Sequence, residues 1–458
     1  MPTLTLFSFF SLAVLCVVYI FLITEKLNKV IVAILGAAVL IVGQVFQTAS
    51  HTSQENAFSF ISHNLDILGF VIGMMILVGI VRESGIFEAI AIWLVKKINA
   101  NPFALLAVLG FLTLGMTALF SNIPTVLIVV PITLVLIKQL KLPFFPYIFI
   151  VLVMANIGGA ITPISDPTTY FQAKTVGLTF NEVLNNSGLI AFVLAIVSLV
   201  YTILVFRKEL QAVKIAKESV AFFRPRSAIR NKKVLTRGTP ILIIAILLMI
   251  AKEWIGSTFG ITLDNATISL TAAFFVMLLF HRDPKKVFSD LIDWEIIFFF
   301  MGLFIIVGAL EFTQVIDLLA HALIQLSQGN VQFLTGLIAI GSTIISSFID
   351  NVPYNITMVG AIQAMEKNGL WVYPLWWALN LGTSIGGAGS PIGAACNVIA
   401  FGQIHREGHH PKFGYYLKNR CTTHTAQWVY YLRNYLAKIF SLNINPKSLA
   451  VFCDDWDV

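Results

Sequence analysis

Two carboxylates stand where an apolar chain has least use for them. Asp166 closes the stretch NIGGAITPISDP (156–167), and Asp350 lies within SSFIDNVPYNITM (346–358). Both stretches interrupt sequence apolar enough to cross a bilayer. An intramembrane carboxylate is costly and is by default a functional candidate. The Asn, Ser and Thr side chains around the two acids, with carbonyls freed by the Gly/Pro breaks, supply neutral oxygens suited to a hard monovalent cation such as Na⁺. Half-helix N-termini offer partial positive charge to an anion. A buried carboxylate can hold and release a proton near neutral pH, so Asp166 and Asp350 are candidate proton-coupling groups. Each also has a plainer role open to it as a helix cap, Asp166 ahead of Pro167 and Asp350 towards Tyr354 or its neighbours. No Lys or Arg occurs in these stretches, and Lys174 is the nearest in sequence. A dianionic substrate would meet two acids with only backbone amides to offset them, unless co-bound Na⁺ reversed the local charge.

The elements that must position these groups are membrane helices. The chain has 458 residues, of which 57% are hydrophobic and 12% charged, with a mean hydropathy of +0.85. Soluble domains carry about twice that charged fraction. Apolar segments fall near 4–23, 30–46, 67–82, 103–137, 146–178, 187–206, 238–256, 265–280, 294–312, 332–363 and 374–404. Segments of roughly 17–25 residues are long enough to span about 30 Å of hydrocarbon, which predicts an all-α polytopic membrane protein. The first segment lacks a basic leader and a small-residue cleavage site, so it is expected to be a span and not a signal peptide. The four cysteines show no CxxC spacing and imply neither a disulfide framework nor a metal site.

Loop charge sets the expected topology. If 103–137 and 332–363 are re-entrant hairpins and the N-terminus is outside, Lys26, Lys29, Arg82, Lys96, Lys97, Lys138 and Lys141 fall inside. So does the loop 207–237 with its ten Lys/Arg, followed by Arg282, Lys285, Lys286, Arg406 and Lys412. The outer loops 47–65, 179–186, 257–264 and 313–331 then contain no Lys or Arg. The net charge of +7 is thus assigned to cytoplasmic loops, not to nucleic-acid binding, and the positive-inside rule favours the re-entrant arrangement. Irregular backbone at membrane depth must be buried in protein or line a cavity.

The breaks occur twice. IGGAITPI (157–164) is matched 228 residues later by IGGAGSPI (385–392), and SNIPT (121–125) is matched 229 residues later by DNVPY (350–354). Upstream, LDILGFVIGMMILVG (65–79) lies over WEIIFFFMGLFIIVG (294–308), pairing Asp66 with Glu295 and Gly73 with Gly302. Matches in one order at one offset indicate an internal duplication. Each half would hold five crossings and one hairpin, and an odd count inverts the second half. The expected organisation is a first inverted repeat at 1–206 with hairpin 103–137 and broken helix 146–178. A basic linker at 207–237 leads to a second repeat at 238–414, with hairpin 332–363 and broken helix 374–404. Paired Gly/Pro-interrupted segments in inverted repeats point to a secondary transporter with its site near the midplane. In this reading the glycines let the backbone unwind and approach closely, and the prolines keep it unwound.

ANIGGAITPISDPTTYF (155–171), SSFIDNVPYNITM (346–358) and TEKLNKVIVAILGA (24–37) resemble the arsenite-pump, NhaD and P-protein branch of the ion transporter superfamily, a group that includes citrate and dicarboxylate transporters. The resemblance covers roughly residues 20–412. It implies an elevator-type secondary transporter, usually a homodimer, in which two hairpins and two broken helices move against a scaffold. Carried over by position, Ser121, Asn122 and Thr125 at one tip, with Asn156, Gly158, Gly159, Thr162 and Asp166 at one break, would line one half-site. Asp350 and Asn351, with Ser384, Gly386, Gly387, Ser390 and Asn397, would line the other. The expected cargo is Na⁺ exchanged for protons, or arsenite or another small oxyanion, with sodium-coupled carboxylate symport as the alternative and no cofactor beyond the coupling ion. The expected location is the plasma membrane.

Three features depart from the family pattern. Ile123 follows Asn122 where many arsenite pumps have an acid, and Thr168-Thr169 follow Asp166-Pro167 where relatives usually have Pro-Asn. The duplication also predicts a span at about 415–434, but the sequence there reads YYLKNRCTTHTAQWVYYLRN, too polar to insert. The tail 415–458 is therefore atypical, and a nonfunctional paralogue stays in play. HREGHH (405–410) is read as a solvated loop because metal-ligand spacing is absent. The segments 84–98 and 313–327 are read as interfacial amphipathic helices. No HExxH or similar constellation suggests an enzyme.

Overall fold

The computed structural model describes residues 5–24, 27–47, 52–98, 101–213, 224–390 and 393–408. The tail 415–458, the middle of the basic linker and the last two residues of HREGHH lie outside the described residues. The described chain is helical throughout, without strands. Six of its helices are long and apolar enough to cross a membrane: Leu65–Arg82, Pro102–Phe120, Asn122–Leu140, Phe180–Val205, Val234–Phe259 and Trp294–Phe312. Shorter apolar helices accompany them, among them Lys29–Val42, Phe144–Gly158 and Asn265–Leu279. The protein is a polytopic all-α membrane protein.

The matched segments fold into matched elements. Helix pairs Pro102–Phe120/Asn122–Leu140 and Val331–Ser346/Asn351–Lys367 are each joined by a short tip. Each is preceded by a short helix, Ile86–Lys97 or Val315–Ser327. The second of these meets Val331–Ser346 at 120°, so it lies across the direction of the arm that follows. After each helix pair comes a helix of 15 residues, Phe144–Gly158 or Tyr373–Gly387. At 1.5 Å per residue each is about 22 Å long, too short to cross about 30 Å of hydrocarbon alone. The chain resumes as Pro167–Val176 in one half and Ala395–Arg406 in the other.

The two halves interlock through their matched glycines. Lys29–Val42 from the first half packs on Trp294–Phe312 of the second, and Asn265–Leu279 from the second packs on Leu65–Arg82 of the first. At the first crossing a side chain on Gly302 would meet the Ala33 backbone at 2.8 Å; at the other, one on Gly73 would meet the Ser269 and Leu270 backbone at 2.7 Å. Ala33 and Ser269 are each the fifth residue of their helix, so the two crossings are equivalent. The absence of a Cβ sets the helix separation, and backbone cannot move aside as a flexible side chain could.

Gly302→Ala and Gly73→Ala should each destabilise the protein by about 1–3 kcal/mol, the usual cost of overpacking. Gly341→Ala, where an added Cβ would meet nothing within 4 Å, should be neutral or gain about 0.5–1 kcal/mol from the helix interior. Unfolding midpoints in detergent test this contrast; equal midpoints for all three would show that the crossings are not close-packed.

Candidate functional site

The first tip is made in a single residue. Helix Pro102–Phe120 ends, Ser121 takes φ 76° and ψ 157°, and the next helix begins at Asn122. That conformation belongs almost wholly to glycine and costs about 1–3 kcal/mol in other residues. It presents Asn122 at the point of reversal, 4% exposed. Thr125 turns its hydroxyl back to the Ser121 carbonyl at 2.7 Å, so it braces the tip.

Asn122 donates its amide to an Asp166 carboxylate oxygen. The other Asp166 oxygen accepts from the Thr168 N–H at 2.8 Å and the Thr168 hydroxyl at 2.6 Å. Asp166 is therefore the N-cap of the resumed helix, with Pro167 in its first turn. The cap and the link to the tip coexist on one carboxylate. Thr168, a departure from the family pattern, supplies two of its three donors.

The break between Gly158 and Asp166 is tied by side chains. The Thr162 hydroxyl donates to the Ala118 carbonyl on the first hairpin arm at 2.6 Å. Ser165 donates to the Gly159 and Thr162 carbonyls, and Thr169 also reaches the Gly159 carbonyl. The sequence-based role for the glycines needs correcting here. Neither Gly158, Gly159, Gly386 nor Gly387 has a positive φ, and helices continue through Gly158 and through Gly386-Gly387. What the glycines provide is proximity. A Cβ on Gly158 would strike Thr117 at 2.8 Å, and one on Gly386 would strike the Thr343 carbonyl at 2.7 Å, so each lets its hairpin arm close on the helix. A Cβ on Gly387 would meet the Asn156 amide oxygen at 2.8 Å. Pro167 likewise starts a helix and does not hold one open.

The second half-site is assembled differently. Asp350 caps its helix through the Val352 N–H at 3.1 Å, not through Tyr354. The Asn351 N–H reaches the Gly393 carbonyl at 3.2 Å, so this tip also fastens to its own break. Asn397 donates to the Gly387 and Ser390 carbonyls, both at 2.8 Å. Its amide oxygen accepts from Asn156 at 2.8 Å, which joins the two breaks directly. Ser384 is buried in the helix ahead of the second break. Of the residues expected to form the site, Asn156, Gly387, Ser390 and Asn397 meet at this junction.

Asn122, Asp166, Asp350 and Asn351 converge on a second point, a cavity of about 20 Å³ between the tips. Its wall includes a residue that sequence reasoning missed. The Lys29 ammonium lies 4.0 Å from an Asp350 oxygen and 5.2 Å from the centre of the Phe299 ring. Lys174, the nearest cation in sequence, pairs instead with Asp66 at the start of Leu65–Arg82. The signal was present in TEKLNKVIVAILGA, which carries Lys29. Reading it as loop charge hid the fact that Lys29 opens a helix, capped by Asn28, that crosses the other repeat. Asn380 was also missed. Its amide oxygen accepts from Thr169 at 2.8 Å and its nitrogen donates to Ser187 at 3.0 Å, a further bond between the halves.

A family model described as citrate transporter matches residues 19–382. An uncharacterised transporter of Mycobacterium tuberculosis is 31% identical over 88% of this chain and 91% of its own length. A 46 kDa membrane protein of Mycobacterium leprae is 30% identical over 86% of this chain and 90% of its own. The P protein of Sus scrofa is 24% identical over 86% of this chain and 55% of its own, in keeping with the branch its motifs resemble. With paired helix breaks, one buried and one part-buried acid, and a part-buried lysine beside the second, this chain belongs to the citrate transporter family of membrane transporters.

Proposed function

We propose that this transporter exchanges a monovalent cation such as Na⁺ for protons at the cavity between the tips, with Asp166 and Asp350 as the groups that bear proton and cation in turn. The observation that carries the reading is the cavity itself. Two carboxylates and one ammonium line it, leaving a net charge of −1 when all are ionised. A volume of about 20 Å³ suits one water-sized occupant. A tricarboxylate is far larger. The exchange balances simply: a carboxylate that takes the cation releases its proton to water, and reprotonation on the other side expels the cation. Efflux of a small oxyacid such as arsenite fits the same volume less well, because its neutral form carries three hydroxyl groups on arsenic and is larger than one water.

The halves are read as inverted repeats, with the N-terminus and the loop 257–264 outside and the basic linker in the cytoplasm of a plasma-membrane protein. The hairpins and broken helices would then move as one body against the remaining helices, in the manner of an elevator, within a homodimer. Lys29 serves as a tethered counter-ion for Asp350, occupying the acid when no cation does. Sodium-coupled transport of a carboxylate is favoured by one specific feature, the same Lys29, which with the half-helix N-termini at Asn122, Pro167 and Asn351 offers positive potential to an anion.

Energised inside-out vesicles test the exchange. Addition of Na⁺ or K⁺ should release protons, and Asp350→Asn and Asp166→Asn should each abolish the release. If neither cation releases protons, while arsenite or citrate is taken up, the exchange reading fails.

Lys29→Met separates the two cargoes. With the tethered competitor gone, the apparent affinity for Na⁺ should rise by about fivefold, the equivalent of about 1 kcal/mol for a partly exposed ion pair. A carboxylate carrier would instead lose anion uptake in the same variant.

A further inference from the structure

An apolar cavity of about 340 Å³ separates the first hairpin arm from Val234–Phe259. One wall is the stretch 111–120 of Pro102–Phe120, and the facing wall is Thr239, Leu242 and Ile243. The floor is Ile86, Phe87 and Ile90, on the short helix that precedes the hairpin. Thr239 is the one polar residue among those that line it. The volume is that of a ligand site, yet no charged group is there to hold a soluble ligand.

The cavity opens to hydrocarbon. Ile90, Leu119 and Ile243 at its rim are exposed, and the last two stand on helices that can cross the membrane. Water in such a space would find no partners, and cavities of this kind take apolar occupants. Gly115 helps to leave the space empty. It lines the cavity, and a Cβ added to it would meet nothing within 4 Å. Unlike Gly73 and Gly302, it serves no close approach of backbones.

The floor helix carries this apolar face on to a charged end. Ile86, Ile90, Trp93 and Lys97 are spaced by four, three and four residues and so share one face. Trp93 is exposed, and the Lys97 ammonium lies 4.1 Å from the centre of its ring. Tryptophan and lysine together mark the level of lipid head groups. Lys96 answers the negative end of the helix, and Lys97 pairs with no carboxylate among the described residues. At the other end of the same helix, Arg230 of the linker is already engaged with Glu88 at 3.6 Å. Ile90 and Lys97 are about 10 Å apart along the axis, within the reach of one phospholipid.

We infer that this cavity holds one acyl chain of an anionic phospholipid, whose phosphate pairs with Lys97 beside Trp93. The ligand is a lipid and not a soluble anion, because its cation stands at the end of an apolar face that leads into the cavity. The chain fills the space that Gly115 leaves and braces the hairpin arm against Val234–Phe259. Nothing in this depends on what the transporter carries.

Purified full-length protein, washed free of lipid in detergent, is to be titrated with phosphatidylglycerol or with phosphatidylcholine of the same chains. Bound lipid is counted by native mass spectrometry, and the unfolding temperature is read in parallel. The wild type should bind one phosphatidylglycerol ahead of any other lipid and unfold at a higher temperature with it. Lys97→Gln should weaken that binding about fivefold, the usual worth of one basic residue at a lipid surface, and erase the preference over phosphatidylcholine. Gly115→Leu puts a side chain into the cavity and should remove the site for both lipids. Leu119→Trp, which narrows the rim from an exposed position, should do the same if Gly115→Leu does not fold. A site that survives both filling variants but is lost in Lys97→Gln would be a head group held at the surface, and it overturns the cavity. Equal binding of the two lipids by the wild type overturns the anionic ligand. A wild type that detergent alone stabilises, with no lipid retained, overturns the proposal as a whole.

Discussion

Breaking a helix inside a membrane frees backbone groups that hydrocarbon cannot satisfy, and much of this structure follows from that constraint. Each freed group costs several kcal/mol unless protein supplies a partner. At the first break Thr169 and Ser165 both cover the Gly159 carbonyl, and Ser187 covers the Ala160 carbonyl from the following helix. At the second, Asn397 covers the Gly387 and Ser390 carbonyls. Thr343 and Ser346, on the second hairpin, donate to the Gly382 and Thr383 carbonyls just ahead of the break. These donors come from the break itself, from the helix that resumes after it, from the following helix and, in the second half, from Val331–Ser346. The helices that flank the tips thus pack against the breaks and share hydrogen bonds with them, through Thr343 and Ser346 in the second half and through the Ala118 carbonyl in the first.

The same demand explains why the halves are interlaced and not side by side. Asn156 of one break holds Asn397 of the other, and Thr169 of one half holds Asn380 of the other. Bonds of this kind need close backbone approach, which the glycines at 158, 386 and 387 permit near the site and those at 73 and 302 permit at the helix crossings. Tight crossings in turn fix where the first residues of Lys29–Val42 and Asn265–Leu279 stand. The placement of an ammonium beside Asp350 is a consequence of packing about one helical turn further along the same helix.

The duplicated pattern, the helix breaks and the acids were legible because each is local or repeats at one offset. Asp166 ahead of Pro167 reads as a cap from two residues, and it is one. Helical class was legible from hydropathy alone. The glycines were legible as important but not in their role: a sequence shows that Gly158 lacks a Cβ, whereas only the position of Thr117 shows what that Cβ would strike. Lys29 and Asn380 were missed for a related reason. Their significance comes from partners on distant segments, and a lysine at the edge of an apolar run looks the same whether it faces water or a carboxylate.

The matched segments form matched elements but an asymmetric pair of tips and breaks. In the first half the acid belongs to the break, as Asp166, and the tip contributes Ser121 and Asn122. In the second the acid belongs to the tip, as Asp350, and the position matching Asp166 is Ala394, an N-cap without a side-chain hydrogen bond. Each tip still fastens to its own break, through the Asn122 amide in one case and the Asn351 N–H in the other. The consequence is electrostatic. Asp166 is surrounded by three neutral donors from Asn122 and Thr168, whereas Asp350 faces one backbone donor and a lysine. Two acids on one small cavity with such different surroundings will not bind a proton or a cation equally. In the proposed exchange, equivalent half-sites would offer an ion no order of binding, and the unequal pair would.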